Sequence, residues 1–183
     1  RLKKMLSHEV NLIEKRLSRE KHPNKMFFSY ANTVATIDFA KQFKGHGWVG
    51  ISYQIEPDED YNEIILHIRF KETDVRLQQE TLGILGVNLI YGAFYKYNDP
   101  KRLLRYLYDH LDKDQLEIDT INFSGPRFAD VDNRLMSLQL VKNGMTDAVM
   151  FNPDGKNILP ASILNKKNIL AFRGSFRPVT KVN

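Results

Sequence analysis

The sequence predicts an α+β domain: a mainly antiparallel sheet covered by helices on one side, with a buried central helix at about residues 76–96. Three patterns carry this reading. In Trp48–Ile55, Val49, Ile51, Tyr53 and Ile55 alternate with Trp48, Gly50, Ser52 and Gln54. In Ile64–Phe70, Ile64, Leu66, Ile68 and Phe70 alternate with Ile65, His67 and Arg69. Strict alternation gives each strand one core face and one wet face. The third pattern is Gln78–Tyr95 (QQETLGILGVNLIYGAFY), apolar on nearly every side and carrying Gly83, Gly86, Gly92 and one amide, Asn88. A helix apolar all round is expected to be enclosed by other elements.

The remaining elements follow in chain order. Leu2, Met5, Leu6, Val10, Ile13 and Leu17 recur at helical spacing opposite Lys3, Lys4, Lys15 and Arg16, an amphipathic helix that His22-Pro23 should stop. Docking on the sheet is its expected fate. Met26–Thr36 is rich in aromatic and β-branched residues and reads as a strand. The acidic loop EPDEDYNE makes a hairpin of the two alternating strands. Matching their apolar positions pairs Ile55 with Ile64, Tyr53 with Leu66, Ile51 with Ile68 and Val49 with Phe70.

Pro100–Leu111 reads as a helix capped by Asn98 or Asp99, with Leu103, Leu104, Leu107 and Leu111 facing inward. A strand at Leu116–Phe123 runs into the turn Ser124-Gly125-Pro126. A helix from about Asp130 to Asn143 follows, closed by Gly144. Ala148–Phe151 and Lys156–Leu159 flank the turn Asn152-Pro153-Asp154-Gly155, and Asn168–Phe172 is a last strand candidate. The 183 residues read as one α+β domain, with the amphipathic helix at 1–22, the core at 23–151, and a hairpin and basic strand at 152–183. The chain starts at Arg1 rather than Met, and its last residues read as extended chain. Both features predict a domain of a larger protein.

Composition narrows the function. Zero cysteines removes disulfides and thiolate metal sites and fits a reducing, cytoplasmic setting. No stretch has the length and apolarity of a membrane span. Residues 1–44 hold ten Lys/Arg against four Asp/Glu, 45–100 four against nine, 101–151 seven against eight and 152–183 six against one. Basic ends around an acidic middle predict pairing between segments, with other domains of the parent chain, or within a homo-oligomer. Nucleic acid is disfavoured, because no aromatic-interleaved basic stripe backs the charge.

The histidines at 8, 22, 46, 67 and 110 form no metal-binding helix pair, so no metal is predicted, and the sequence specifies no cofactor. His67 and Arg69 share a wet strand face beside Trp48, a combination that suits an anionic, planar small molecule. In NFSGPRFADVDNR (122–134), Arg127, Asp132 and Arg134 crowd a helix start. Capping accounts for Asp130 or Asp132 there, and Mg²⁺ binding is the rarer alternative. In RGSFRPVT, Arg173 and Arg177 lie about 13 Å apart if extended, a spacing suited to two carboxylate partners. The glycines at 83, 86 and 92 lack the lysine and turn context of a phosphate loop and read as close-packing positions. No catalytic residue is assigned.

Three stretches, ETLGILGVNLIYGAFY, FSGPRF through DNRLMSLQLVKNGMTDAVMF and PDG, and RGSFRPVT, resemble an uncharacterised bacterial protein family that is sometimes labelled nucleotide-adenylyltransferase-like. Adenylyltransferases are known by an H-x-G-H motif and a later S-T-x-x-R-like signature. His46-Gly47-Trp48 and the RGSFR run match neither, so no residue role carries over. Two functions are therefore expected. The first is a non-catalytic assembly or ligand-sensing domain of a larger cytosolic protein. The second is an enzyme domain acting on a nucleotide-like or phosphorylated substrate, with His67, Arg69, Arg127, Asp132, Arg173 and Arg177 as anion contacts.

Overall fold

A computed structural model describes residues 1–18, 21–35, 45–164 and 166–170. Four antiparallel strands form one sheet in the order β1 (Phe28–Ala35), β2 (His46–Tyr53), β3 (Asn62–Phe70) and β4 (Leu116–Ser124). Between β3 and β4 the chain forms α2 (Val75–Tyr95) and α3 (Pro100–Tyr106). After β4 come a 3₁₀ turn (Pro126–Phe128), α4 (Asn133–Lys142), the short hairpin β5 (Met150–Phe151) and β6 (Asn157–Ile158), and α5 (Pro160–Leu164). The fold is α+β, as the alternation requires.

The core lies on one face of the sheet. Val49, Ile51, Ile64, Leu66, Ile68, Ile118 and Ile121 meet Leu85 and Leu89 of α2, Leu103 and Leu104 of α3, and Leu140 of α4. Removing a leucine side chain fully from water, as at Leu85 and Leu89, contributes about 2–3 kcal/mol each. Asp74 caps α2, accepting from the N–H groups of Arg76 and Leu77 at 2.8 and 3.0 Å. Asp99 caps α3, and Gly144 (φ 66°) closes α4. At Gly86 the helix touches β1, where an added Cβ would lie 2.8 Å from the Tyr30 hydroxyl.

Four expectations are corrected. First, helices cover both faces. The amphipathic helix α1 (Leu2–Leu17) packs Leu2 and Leu6 on Ile65 of the opposite face, and Gly50 leaves the room they fill. Ile65 interrupts the polar series and supplies the apolar footing. The helix ends at Leu17, before His22-Pro23, and Met5 and Leu17 stay exposed.

Second, the hairpin register differs. Ile51 pairs with Ile64, Val49 with Leu66, Trp48 with His67 and Tyr53 with Asn62. Alternation fixes which face a residue takes, and a slip of an even number of positions preserves it. What sets the slip is polar. The buried Gln54 side chain accepts from Phe27 N–H at 3.0 Å and donates to Glu59 O at 2.6 Å, which ties Gln54 to the hairpin loop on one side while its own N–H donates to Phe27 O at 3.1 Å on the other.

Third, α2 is not enclosed. Leu85, Leu89 and Ala93 are fully buried, yet Val87 is 67% and Tyr95 69% exposed. A single-layer sheet covers one side of the helix, and nothing among the described residues covers the other. Fourth, residues 168–170 carry no strand, and α5 was not anticipated. Residues 171–172 and the RGSFRPVT segment, with Arg173 and Arg177, lie outside the described residues.

Candidate ligand site on the open sheet face

The face bearing α1 is built by a phase break in β4. Ile118 and Ile121 both point into the core, although alternation would place them on opposite faces. A bulge absorbs the extra residue: Ile68 pairs with Ile118 and His67 with Thr120, leaving Asp119 without a strand partner. Bulges re-aim side chains in this way. The Asp119 carboxylate lies 2.8 Å from Nδ1 of His67, and both side chains are under a tenth exposed. A carboxylate only accepts, so Nδ1 carries the proton. His67 Nε2 then faces Nδ1 of exposed His46 at 3.3 Å. The Trp48 indole packs edge-on against His67 with ring centroids 5.0 Å apart.

Beside this chain Arg69 donates to Glu117 at 2.7 Å and lies 3.5 Å from Asp119. Thr146 donates its hydroxyl to the same Glu117 oxygen at 2.6 Å. Burial opposes charge on Glu117, but the Thr146 and Arg69 hydrogen bonds hold its carboxyl below the usual range. Burial likewise works against charge on Arg69, and Glu117 outweighs it.

Next to Trp48 opens a cleft of about 560 Å³, bounded by the first turn of α1, the open faces of β3 and β4, the start of α4 and the β5–β6 turn. Lys3, Trp48, Thr120, Asn122, Arg134 and Lys156 line it. Two of its cations have partners: Lys3 meets Glu63 at 3.1 Å and Arg134 meets Asp132 at 2.7 Å. Arg134 hydrogen bonds lower the Asp132 carboxyl to about 2. Asp132 is also the α4 cap, accepting from Arg134 N–H at 2.9 Å. Lys156 has no carboxylate partner among the described residues.

The cleft wall also protects the free edge of β4. The Asn133 amide accepts from Phe123 N–H at 2.7 Å and donates to Phe123 O at 2.9 Å, standing in for a neighbouring strand. Asn157 donates to Ile121 O and Asn133 O at 3.1 and 3.2 Å, while its Oδ1 is buried without a partner among the described residues. The turn that presents Lys156 and Asn157 follows the sequence closely. Gly155 takes φ 76°, and the Asn152 side chain accepts from Lys156 N–H at 2.7 Å.

The sequence-predicted residues divide. Trp48, Asp132 and Arg134 share this cleft, with His67 behind the indole and Arg69 beyond it. Arg127 does not join them. Its main chain bonds Asn62 at the start of β3, five residues and roughly 17 Å of strand from His67. Its guanidinium pairs with Glu56 and Glu59 and lies over the Tyr97 ring. The hairpin loop therefore consumes its charge. His46, Asp119, Lys3, Lys156 and Asn157 were not singled out from sequence. The three-residue spacing of Ile118 and Ile121 is the signal that locates Asp119. Among the described residues no group of three or more His, Asp or Glu is placed to hold a metal ion, and no helix is long and apolar enough to cross a membrane.

No protein-family model, curated protein or solved structure matches this chain.

Proposed function

We propose that this chain is a ligand-sensing domain of a larger cytosolic protein, and that it binds a small anionic molecule with a planar group in the cleft beside Trp48. One observation carries the reading: a half-buried indole and the Lys156 ammonium, which has no carboxylate partner among the described residues, face one cleft. An indole face takes a planar group, and the ammonium takes a phosphate or carboxylate. Nucleotides and aryl phosphates combine these features.

Trp48 is the chain's single tryptophan, so its fluorescence reports the site directly. Titration with nucleotides should change that emission and raise the melting temperature, and phosphosugars, which lack a planar group, should do so less. Lys156→Ala should weaken binding about 10- to 100-fold, the loss of one charge-assisted bond of about 1.5–3 kcal/mol. Millimolar ligands that alter neither signal, or equal affinity in Lys156→Ala, would refute the reading.

A catalytic reading is favoured by one arrangement, the imidazole of His67 held by the Asp119 carboxylate, which is how a general base is oriented. It is the second choice because His67 Nε2 is turned onto His46 rather than toward the cleft. Turnover of a phosphorylated substrate that His67→Asn abolishes, with ligand affinity retained, would reverse the order.

A further inference from the structure

The outward side of α2 is the largest feature that the cleft leaves unexplained. Phe28 of edge strand β1 and Val87, Tyr91 and Tyr95 of α2 are 40–69% exposed. Together they leave roughly 400 Å² of largely apolar surface in water, the size of the largest patch on an ordinary monomer and often a functional one. The stripe has a shape as well as a composition. On one side of Val87, Tyr91 stacks on Tyr95 at 4.6 Å and packs against Tyr106 at 5.0 Å, forming an aromatic knob. On the other side, a groove of about 390 Å³ runs between α2 and β1, with Tyr30, Gly83, Gly86 and Ile90 along it. An added Cβ at Gly83 would meet nothing within 4 Å.

Knob and hole are placed symmetrically. Gly83 and Tyr91 each lie one helical turn from Val87, about 6 Å along the axis. We propose that a second copy of this chain packs on this stripe, the two α2 helices antiparallel about a two-fold axis at Val87. Each Tyr91 then seats at its partner's Gly83, the self-complementarity that a closed, isologous dimer requires. Charge does not oppose this: the Arg76–Glu80 pair (3.0 Å) near the start of one helix is net neutral where it meets the end of the other, at which the Lys96 ammonium lies 5.7 Å over the Tyr91 ring. The four exposed apolar side chains supply about half of the ~800 Å² that each side of a standard interface buries. Leu82, Ile90 and Gln79 along the groove supply the flanks.

Sedimentation equilibrium of the 183-residue chain tests this. The wild type should reach twice its 21.3 kDa mass at micromolar concentration, and Val87→Glu, which puts two carboxylates on the axis, should weaken association by about 100-fold or more. Unchanged circular dichroism would show that the fold survives at this exposed position. Gly83→Arg fills the groove and should act alike. Because the chain has no cysteine, Val87→Cys should give a disulfide-linked dimer under mild oxidation, while Lys101→Cys on α3 should not. A wild type monomeric at 100 µM overturns the proposal. So does a Val87→Glu dimer of undiminished affinity, or an open series of higher oligomers.

Discussion

Replacing Asn88 by alanine tests how α2 is tied to the next helix. Asn88 is 5% exposed, and its amide nitrogen donates to Leu107 O at 3.1 Å and Asp109 O at 2.6 Å. These carbonyls lie just past the end of α3, where the chain tightens through Tyr108 N–H to Arg105 O and Asp109 N–H to Tyr106 O before His110 turns through φ 55°. The asparagine is therefore a C-terminal cap delivered from a neighbouring helix. Alanine removes both donors and leaves Leu107 O buried without a partner, at about 1–3 kcal/mol, with a smaller loss at the wetter Asp109 O. The sum is about 2–4 kcal/mol, or roughly 5–12 °C in melting temperature for a chain of this length. Urea denaturation should show a lower midpoint at an unchanged slope. Asn88→Asp should be worse still, since a carboxylate then faces two carbonyl oxygens. A loss under about 0.5 kcal/mol for alanine, or an aspartate variant as stable as wild type, would refute the argument.

Two further predictions concern groups whose environment opposes them. The Tyr53 hydroxyl is fully buried without a partner among the described residues, and burial pushes its pKa well up, so Tyr53→Phe should be neutral or stabilising by up to about 1–2 kcal/mol; a clear loss in urea denaturation would reveal a partner. Glu117 is held below the usual carboxylate range against its own burial. Its stabilising contribution is thus complete above the unfolded value of about 4.3 and is lost as pH falls through the lower folded value. The urea midpoint of wild type should fall more steeply with acid than that of Glu117→Gln. Parallel curves would exclude the coupling.

Local signals and period-two alternation located the four strands of the sheet and the longer helices, and the face each side chain takes in β2 and β3, but neither α5 nor the phase break in β4. Asp99, Gly144 and the Asn152–Gly155 turn act as their residue types require. What period two cannot supply is register, because Ile51 opposite Ile64 and Ile51 opposite Ile68 present the same faces. That choice is made by Gln54 and Asn62, buried polar side chains bonded to Phe27 and Arg127 far away in sequence and, for Gln54, to Glu59 in the loop. The candidate site was legible in the same uneven way. Trp48 and His67 share an open face by parity alone, whereas Asp119 reaches His67 only through the bulge. Arg127 failed because charge type says nothing of local partners, and Glu56 and Glu59 sit one hairpin loop away. The apolar run of α2 misled in the opposite direction. Hydrophobicity on every side was read as enclosure, when the outward stripe is surface.

That stripe and the cleft lie on opposite sides of one sheet. Trp48 points to the open face, while its strand neighbours Val49 and Ile51 point to the core under α2. A ligand beside Trp48 is thus separated from Val87 by the sheet and by α2, itself about 10 Å across. Substitutions that far apart with no shared partner have additive effects. Lys156→Ala and Val87→Glu are therefore controls for one another, and each isolates one surface. A shared effect would require β2 to shift within a close-packed layer, which Gly47 opposes: its backbone lies so near Thr33 and Val34 of β1 that no side chain fits between the strands.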